Sequence, residues 1–316
     1  MHKPKISLIL PIYNAQKFIK RTLESAINQS LKDIEILCVD DCGADKSMEI
    51  VKEFANKDSR IKIIKNSQNL GPFVSRNRGV LASNSEFIMF LDSDDFLDLN
   101  ACELVYENFK EGGGAEWLFF DCYCELEGKW LKHEHNFLKT NAISSFSFDE
   151  AVHLWLCENA PTELFTPMWS RAFKKELFLK NYENNLKNLS GLIYAEDVLH
   201  NLTYCSYVKT IKYIPMPLYY YSHNESSTTH NKEKNSRNIA DLQKVMEYLE
   251  NFFAKDSFNA LIAKIENCNL KIDQIDRYKH LCPPFKLVLK LQRKFTKIKK
   301  KALIKKALKG GVNSGI

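Results

Sequence analysis

The sequence predicts an α/β fold, with a mostly parallel central sheet and helices on both faces. Three observations predict it. In the first third of the chain, short apolar runs alternate with stretches of helical periodicity, the pattern of repeated strand–helix–strand units. The runs are continuous in apolar character, as in strands covered on both faces. Two of them, residues 34–39 and 87–91, stop abruptly at carboxylates: Asp40 and Asp41 after the first, Asp92, Asp94 and Asp95 after the second. In open sheets of this kind, ligands sit beyond the carboxyl ends of the strands.

Residues 6–10 read as a short strand ending at Pro11-Ile12-Tyr13-Asn14, with Asn14 placed to cap the next helix. Phe18, Ile19, Thr22, Leu23, Ala26 and Ile27 recur at helical spacing. Residues 34–39 are the second strand, and Asp45 stands at an N-cap before a helix over 47–56. Residues 61–64 are the third strand. Asn69-Leu70-Gly71-Pro72 is a turn, with Pro72 opening a helix that carries Arg76, Asn77 and Arg78. Residues 87–91 are the fourth strand. Asp-x-Asp on an extended segment puts Asp92 and Asp94 on one side. Two hard oxygen ligands there can hold Mg²⁺ or Mn²⁺ while the cation also binds substrate phosphates. The bland alternative is a polar turn in which Asp95 caps the following helix. No G-x-G-x-x-G follows the first strand and no phosphate loop is present, which argues against a dinucleotide fold.

Composition fits a soluble globular protein. No run of about 18 apolar residues suggests a transmembrane helix, and the first residues lack a signal peptide's cleavage region. Nine scattered cysteines form no paired C-x-x-C motif and read as reduced thiols. Thirteen of the 45 Lys and Arg fall from Arg277 onward, with no Asp or Glu among them. The first 276 residues therefore hold 32 basic against 39 acidic residues, a net charge of −7, although the whole chain carries +6. A mildly acidic body with a basic tail points to an anionic surface met by one end of the chain.

Further along, residues 117–122 and 124–130 look like strands joined through a turn at Gly128. Residues 132–148 are polar; His133 and His135 could bind metal, but a solvated loop is the expectation. Trp155 and Trp169 could stack on sugar rings, with core packing the expectation for each. Glu196 and Asp197 open an amphipathic run that includes Val198, Leu199, Leu202 and Tyr204. Carboxylates at a helix start are ordinary, because they suit its dipole. Residues 235–275 read as two helices, one with the stripe Ile239, Leu242, Val245, Met246, Leu249 and Phe253. Phe285, Val288, Leu291, Phe295, Ile298 and Ala302 recur at helical spacing among eleven Lys and Arg, matching a helix that lies in an anionic membrane interface. Nucleic-acid binding is the rival reading of such a segment; the tail lacks interleaved base-stacking residues, and no nucleic acid is expected.

The series LILPIYN, EILCVDDCGADKS, NLGPFVSRNRG and FIMFLDSDD, in that order and spacing, resembles the family 2 inverting glycosyltransferases, whose nucleotide-diphospho-sugar domain is called GT-A. The resemblance covers roughly residues 5–225. Through CVDDCGADKS, FLDSDDFLDLNACE and AEDV it is most similar to bacterial enzymes that extend lipo-oligosaccharide or capsule, particularly β-1,3-galactosyltransferases. It implies that Pro11 and Tyr13 frame the nucleotide base, that Asp41 reads uracil with Asp40 supporting the turn, and that Arg76 lies near the nucleotide. It implies that Asp92 faces ribose and metal, with Ser93 beside it, and that Asp94 is the principal ligand of Mn²⁺ or Mg²⁺. Asp197 would be the general base, with Glu196 orienting base or acceptor. Residues 167–171 resemble the strand before an acceptor-side helix, and residues 217–227 the strand and loop that close the donor site. His223 there would touch the diphosphate, complete the metal shell, or serve only as a hydrogen-bonding group.

The expected organisation is a GT-A domain over 1–230 (nucleotide-sugar half 1–100, acceptor half 101–230), a helical extension over 231–282 and a basic membrane-associating tail over 283–316. The expected partners are a UDP-sugar, a lipid-linked glycan acceptor and the anionic inner-membrane surface, met from the cytoplasm. Galactose is the first donor sugar implied; N-acetylgalactosamine, N-acetylglucosamine and glucose stay open, as does a sugar-nucleotide-binding protein without turnover.

Overall fold

A computed structural model describes residues 3–111, 114–135, 138, 145–158, 164–224, 235–252, 258–281 and 286–312. The apolar runs are strands and the periodic stretches are helices: β1 (Ile6–Ile12), α1 (Ile19–Ile27), β2 (Ile34–Asp40), α2 (Ser47–Ala55), β3 (Ile61–Lys65), α3 (Gly71–Ala82) and β4 (Phe87–Phe90). Then come β5 (Phe96–Leu97), α4 (Ala101–Lys110), β6 (Trp117–Leu126), β7 (Lys129–His133), β8 (Ser145–Ser147), α5 (Phe148–Cys157), β9 (Arg171–Lys174) and α6 (Lys175–Asn181). A π-helical turn, Tyr182–Leu186, follows, and then α7 (Glu196–Tyr204), β10 (Thr210–Tyr221), α8 (Asn235–Phe252), α9 (Phe258–Leu281) and α10 (Lys286–Val312).

Among the described residues ten strands form one mixed sheet, in the order β3-β2-β1-β4-β9-β6-β10-β5, with β7 on β6 and β8 on β10. The first four strands are mutually parallel, and β9 joins β4 to β6 antiparallel to both. Ile12 pairs with Asp40, and Leu91 donates its N–H to the Ile9 carbonyl at 3.0 Å. The register therefore brings Tyr13, Asp40–Asp41 and Asp92 to one edge of the sheet.

Alternate side chains of these strands serve opposite layers. Leu8, Leu10, Met89 and Leu91 face Leu23 of α1, Val51 of α2 and Val105 of α4. On the other face Phe90 meets Phe178 of α6 at 5.6 Å between ring centroids. Gly79 lets α3 press onto that face, since a Cβ there would lie 2.4 Å from Ile9 Cγ2 and 3.3 Å from Val39 Cγ2.

The chain forms two compact units. One comprises Met1–Ser147, Pro167–Leu192 and Tyr207–Asn224; the other comprises Phe148–Thr166, Ile193–Ser206 and Glu225–Ile316. The first holds the sheet. The second packs α5 and α7 with the three C-terminal helices, so no single cut in the sequence separates the units. Its core includes Trp155, Leu202, Ile265 and the α8 stripe Ile239, Leu242, Val245, Met246 and Leu249; Phe253 and Phe285 lie outside the described residues.

Several local expectations are corrected, while Trp155 and the cysteines are as expected. Asn14 does not cap α1: its φ is +50° and its Oδ1 accepts Ala44 N–H at 2.8 Å, while the helix begins after Phe18. Residues 117–126 are one strand, because the break in pattern at Tyr123 is a change of exposure and not of backbone; Glu127 and Gly128, at φ +50° and +74°, make the turn. A two-residue loop with both φ positive matches the twist of a hairpin. His135 is buried against Phe119, Tyr213 and Ser170 and is not in a solvated loop. Burial, then the Arg171 charge, hold its pKa well below the ordinary value, which keeps it neutral. Trp155 is core, 5.2 Å from Phe165. The eight cysteines among the described residues are free thiols.

Gly79→Ala tests the close approach of α3. Helix propensity favours Ala by about 1 kcal/mol, while overpacking a filled core costs about 1–3 kcal/mol. At 2.4 Å from a buried Ile9 methyl the clash should win, and urea unfolding should show a lower midpoint. A midpoint unchanged or raised would mean that the sheet yields at Ile9.

Candidate active site

The acidic edge is built by connections between elements. Asp41 is buried, and its carboxylate accepts Asn66 Nδ2 at 2.7 Å, Leu70 N–H at 2.8 Å and Gly71 N–H at 2.9 Å. It thus fixes the turn that starts α3, where Gly71 adopts φ +85°. Asp40, half-exposed beside it, accepts Cys42 N–H at 2.9 Å. Asp40 thus supports the turn directly after β2, as expected, while Asp41 holds the separate turn before α3. Asp45 does act at the start of α2, accepting Ser47 N–H at 3.0 Å and Gln16 N–H at 2.8 Å. Pro11 is half-buried in β1, and the Tyr13 ring beyond it is half exposed.

α3 aims Arg76 at the end of β4, where its Nη2 meets Asp92 Oδ1 at 2.8 Å in a largely buried ion pair. Such charge-assisted contacts are among the strong ones. Asp95 is fully buried and accepts the Tyr219 hydroxyl and the Ser222 N–H, both at 2.7 Å. Tyr219 also accepts Asp92 N–H at 3.1 Å. Asp94 Oδ2 accepts Asn224 Nδ2 at 2.7 Å, and Arg21 Nη2 bridges the Asp94 carbonyl at 3.0 Å and Ser222 Oγ at 2.6 Å. Ser93 is held through its carbonyl by Thr22 Oγ1 at 3.1 Å. Trp169, half-buried, stacks on Tyr219 and Tyr221 at 4.8 and 5.0 Å. Asp95 is therefore a structural anchor and not a helix cap.

The charges repel. Burial, then Asp92, push the Asp94 carboxyl above its ordinary pKa; burial, then Asp94 and Asp92, push Asp95 well above. A divalent cation would relieve this crowding, and Asp92 with Asp94 supply the hard oxygen donors that Mg²⁺ or Mn²⁺ prefers. The residues present fit such an ion. Among the described residues no three His, Cys, Asp or Glu side chains converge as a complete site, so phosphate oxygens and water would finish the shell. His223 is exposed, with its backbone N–H on Glu125 Oε2 at 3.1 Å. Residues 225–227 lie outside the described residues.

The second acidic feature belongs to the other unit. Ala195 takes a left-handed φ of +59° and sends the chain into α7, whose first residues are Glu196 and Asp197. A non-glycine residue held there marks a position that its surroundings enforce. Asp241 of α8 accepts Ile193 N–H at 3.0 Å and Tyr194 N–H at 3.2 Å. The Tyr194 hydroxyl donates to Asp273 Oδ2 of α9 at 2.9 Å, under an Arg277 guanidinium 4.2 Å above its ring. Glu196 is buried; Asp197 is half-exposed and accepts Val198 N–H at 2.8 Å. Glu266 of α9 is buried, and burial, less Lys300's attraction but with Asp197's charge added, raises its pKa to about 8.

Sequence reasoning missed Arg21 at the first feature, and it placed Tyr219, Ser222 and Asn224 in the segment closing the donor site without giving them individual roles. It also missed Asp241, Asp273 and Arg277 at the second. Each lies far along the chain from the residue it supports, and no local spacing signals it.

Residues 7–173, more than half of the chain, match the family described as Glycosyl transferase family 2. The chain is 36% identical over 187 residues to a cholesterol galactosyltransferase of Borreliella burgdorferi, covering 57% of this chain and 51% of that protein. It spans about half to two thirds of the length of the curated relatives it matches. The fold is shared with S. aureus TarS 1–349 solved with UDP-GlcNAc, at TM-score 0.65 and 17% identity over 97% of this chain and 92% of that one. A Pyrobaculum calidifontis mannosyltransferase solved with GDP-Man and Mn²⁺ shares it at TM-score 0.56 and 12% identity, over 100% and 89%.

Because the folded pKa of Asp94 lies above its unfolded value, the folded state takes up this proton at higher pH. This group's contribution to stability then rises as the pH falls from neutral toward the ordinary carboxylate range. Asp94→Asn removes the charge and keeps an acceptor for Asn224. Without divalent metal the variant should melt above the wild type at neutral pH, and the gap should narrow at mildly acidic pH. Mn²⁺ should raise the wild-type Tm and leave the variant's nearly unchanged. A variant that melts lower at neutral pH without metal would refute the repulsion argument.

Proposed function

The chain belongs to glycosyl transferase family 2, and on that premise we propose that it is a metal-dependent inverting transferase moving a sugar from a UDP-sugar to a lipid-linked glycan acceptor. One observation carries the reading: β4 delivers Asp92 and Asp94 to the carboxyl edge of the sheet, within the family-matched segment, with Arg76 locked onto Asp92 at 2.8 Å. The crowded carboxylates are arranged for a cation that accompanies a diphosphate.

In this reading Pro11 and the half-exposed Tyr13 frame the uracil. Asp41, fixed in place by three donors, reads the uracil's N3–H, and Asp40 supports the turn beside it through Cys42 N–H. Arg76 orients Asp92, and the pair faces the ribose beside Ser93. Asp94 is the principal metal ligand, with His223 as a further contact to ion or diphosphate. A bound Mn²⁺ or Mg²⁺ would stabilise the charge growing on the departing diphosphate. Inversion needs one carboxylate to take the acceptor hydroxyl's proton, and that role goes to Asp197, oriented by Glu196.

Galactose is the first donor sugar to test, in line with the Borreliella relative's name; N-acetylglucosamine is second, since TarS was solved with UDP-GlcNAc. The acceptor is a lipo-oligosaccharide or capsule glycan growing on its lipid. The enzyme works from the cytoplasm at the inner face of the plasma membrane, where donor and lipid-held acceptor meet.

The test is UDP release from a panel of UDP-sugars, with and without Mn²⁺, in membranes that supply the acceptor. Full turnover in EDTA would sink the metal assignment. Asp197→Asn keeps the side-chain shape and removes its basicity, so transfer should fall by about 10²–10⁴ while UDP-sugar affinity stays near wild type. Glu196→Gln should cost less. Normal turnover by Asp197→Asn, or loss only in Glu196→Gln, would reassign the base.

A further inference from the structure

α10 carries two apolar stripes, and the fold uses only one. Ile304 and Ala307 are buried, and α10 packs on α9 and α5 within its own unit. Arg293 Nε meets Asp276 Oδ2 at 2.9 Å, and half-buried Lys300 faces Glu266. At about 100° per residue, Phe295, Ile298 and Ala302 fall on the opposite side of the helix, within roughly 60° of one another. Phe295 is 68% exposed and Ile298 54%. Exposed Lys294, Lys301 and Lys305 run along one edge of this stripe, and exposed Lys299 and Lys306 along the other. A recess of ≈ 370 Å³ on the first edge is lined by Arg293, Lys294, Lys297, Ile298 and Lys301, four cations around one apolar side chain.

We propose that this outward face of α10 docks on an anionic lipid surface, with Phe295 and Ile298 entering the acyl boundary and the flanking lysines meeting phosphate headgroups. An apolar centre line bordered by lysines is the form of a helix lying in the interface plane. No described helix is long and apolar enough to cross a membrane. A second copy of the chain is disfavoured as occupant, because two such faces would repel. A nucleic acid would use the lysines but leave Phe295 and Ile298 without a role. The first 276 residues carry a net charge of −7, so attraction to an anionic surface has to be concentrated on this helix.

The inference does not rest on the sugar-transfer reading, and its assay needs no substrate. Removing residues 283–316 is a poor test, since it strips Ile304, Ala307 and Arg293 from the unit's packing. Substitutions on the exposed face avoid that. The full chain should sediment with phosphatidylcholine vesicles containing phosphatidylglycerol and not with phosphatidylcholine alone, and added salt should release it. Lys294→Gln with Lys301→Gln should lower partitioning about fivefold for each lysine lost. Phe295→Ser with Ile298→Ser should lower it about tenfold for each residue, with the far-ultraviolet circular dichroism unchanged. Equal binding to neutral vesicles, no binding to anionic ones, or unimpaired binding by the serine pair would overturn the proposal. So would RNA that displaces vesicles and binds the serine pair as tightly as the wild type.

Discussion

Three carboxylates within four residues, at the mouth of one buried strand, constrain everything around them. Like charges so close, partly removed from water, are costly unless each is given a partner. Asp92 takes Arg76, Asp94 takes Asn224, and Asp95 takes Tyr219 and Ser222. Arg76 comes from α3, and the other partners come from β10 and the segment just after it, more than a hundred residues along the chain. β10 therefore does more than fill the sheet. Its pairing with β5, Tyr219 against Leu97, places the hydroxyl that links Asp92 to Asp95. Arg21 and Thr22 of α1 bind the backbone carbonyls of the same loop, so its shape is fixed from three sides. The residual repulsion on Asp94 is a ground-state cost that a cation would relieve.

The turn before α7 shows the same logic with different groups. A left-handed Ala195 is unfavourable by itself, and the chain holds it through donors to Asp241 and the Tyr194–Asp273–Arg277 cluster. The helices read from sequence as an appended extension are thus the framework that presents Glu196 and Asp197. Glu266 sits in that framework as a buried carboxyl whose charged form is disfavoured, which limits the negative charge gathered around Asp197.

What the sequence made legible was whatever repeats locally. The strands of the parallel half, the helix starting at Pro72, the α8 stripe and the acidic strand ends follow from side-chain type over a few residues. β6 did not, because its exposure changes at Tyr123 while its backbone continues. The hold of Asp41 on the turn before α3 was not legible either. Adjacent carboxylates look alike until Asn66, Leu70 and Gly71 are seen converging on one of them. The antiparallel strand β9 carries no period in its four residues, and the resemblance placed it at 167–171, whereas it runs over Arg171–Lys174 between β4 and β6.

α10 shows how a charge imbalance becomes a direction. The sequence gives a basic tail on an acidic body and an apolar stripe through Phe295, Ile298 and Ala302, but not which cations lie beside that stripe. In the structure the helix divides its cations by face. Arg293 is neutralised by Asp276, and Lys300 lies against Glu266, where burial pushes both groups toward their neutral forms. Those two contacts remove positive charge from the inward side and leave the outward lysines without a carboxylate partner among the described residues. Without Asp276 and Glu266 on α9, cations would ring α10 on all sides and the helix would have no preferred face. With them, the positive field points the same way as Phe295 and Ile298, so charge and apolar surface select one orientation together.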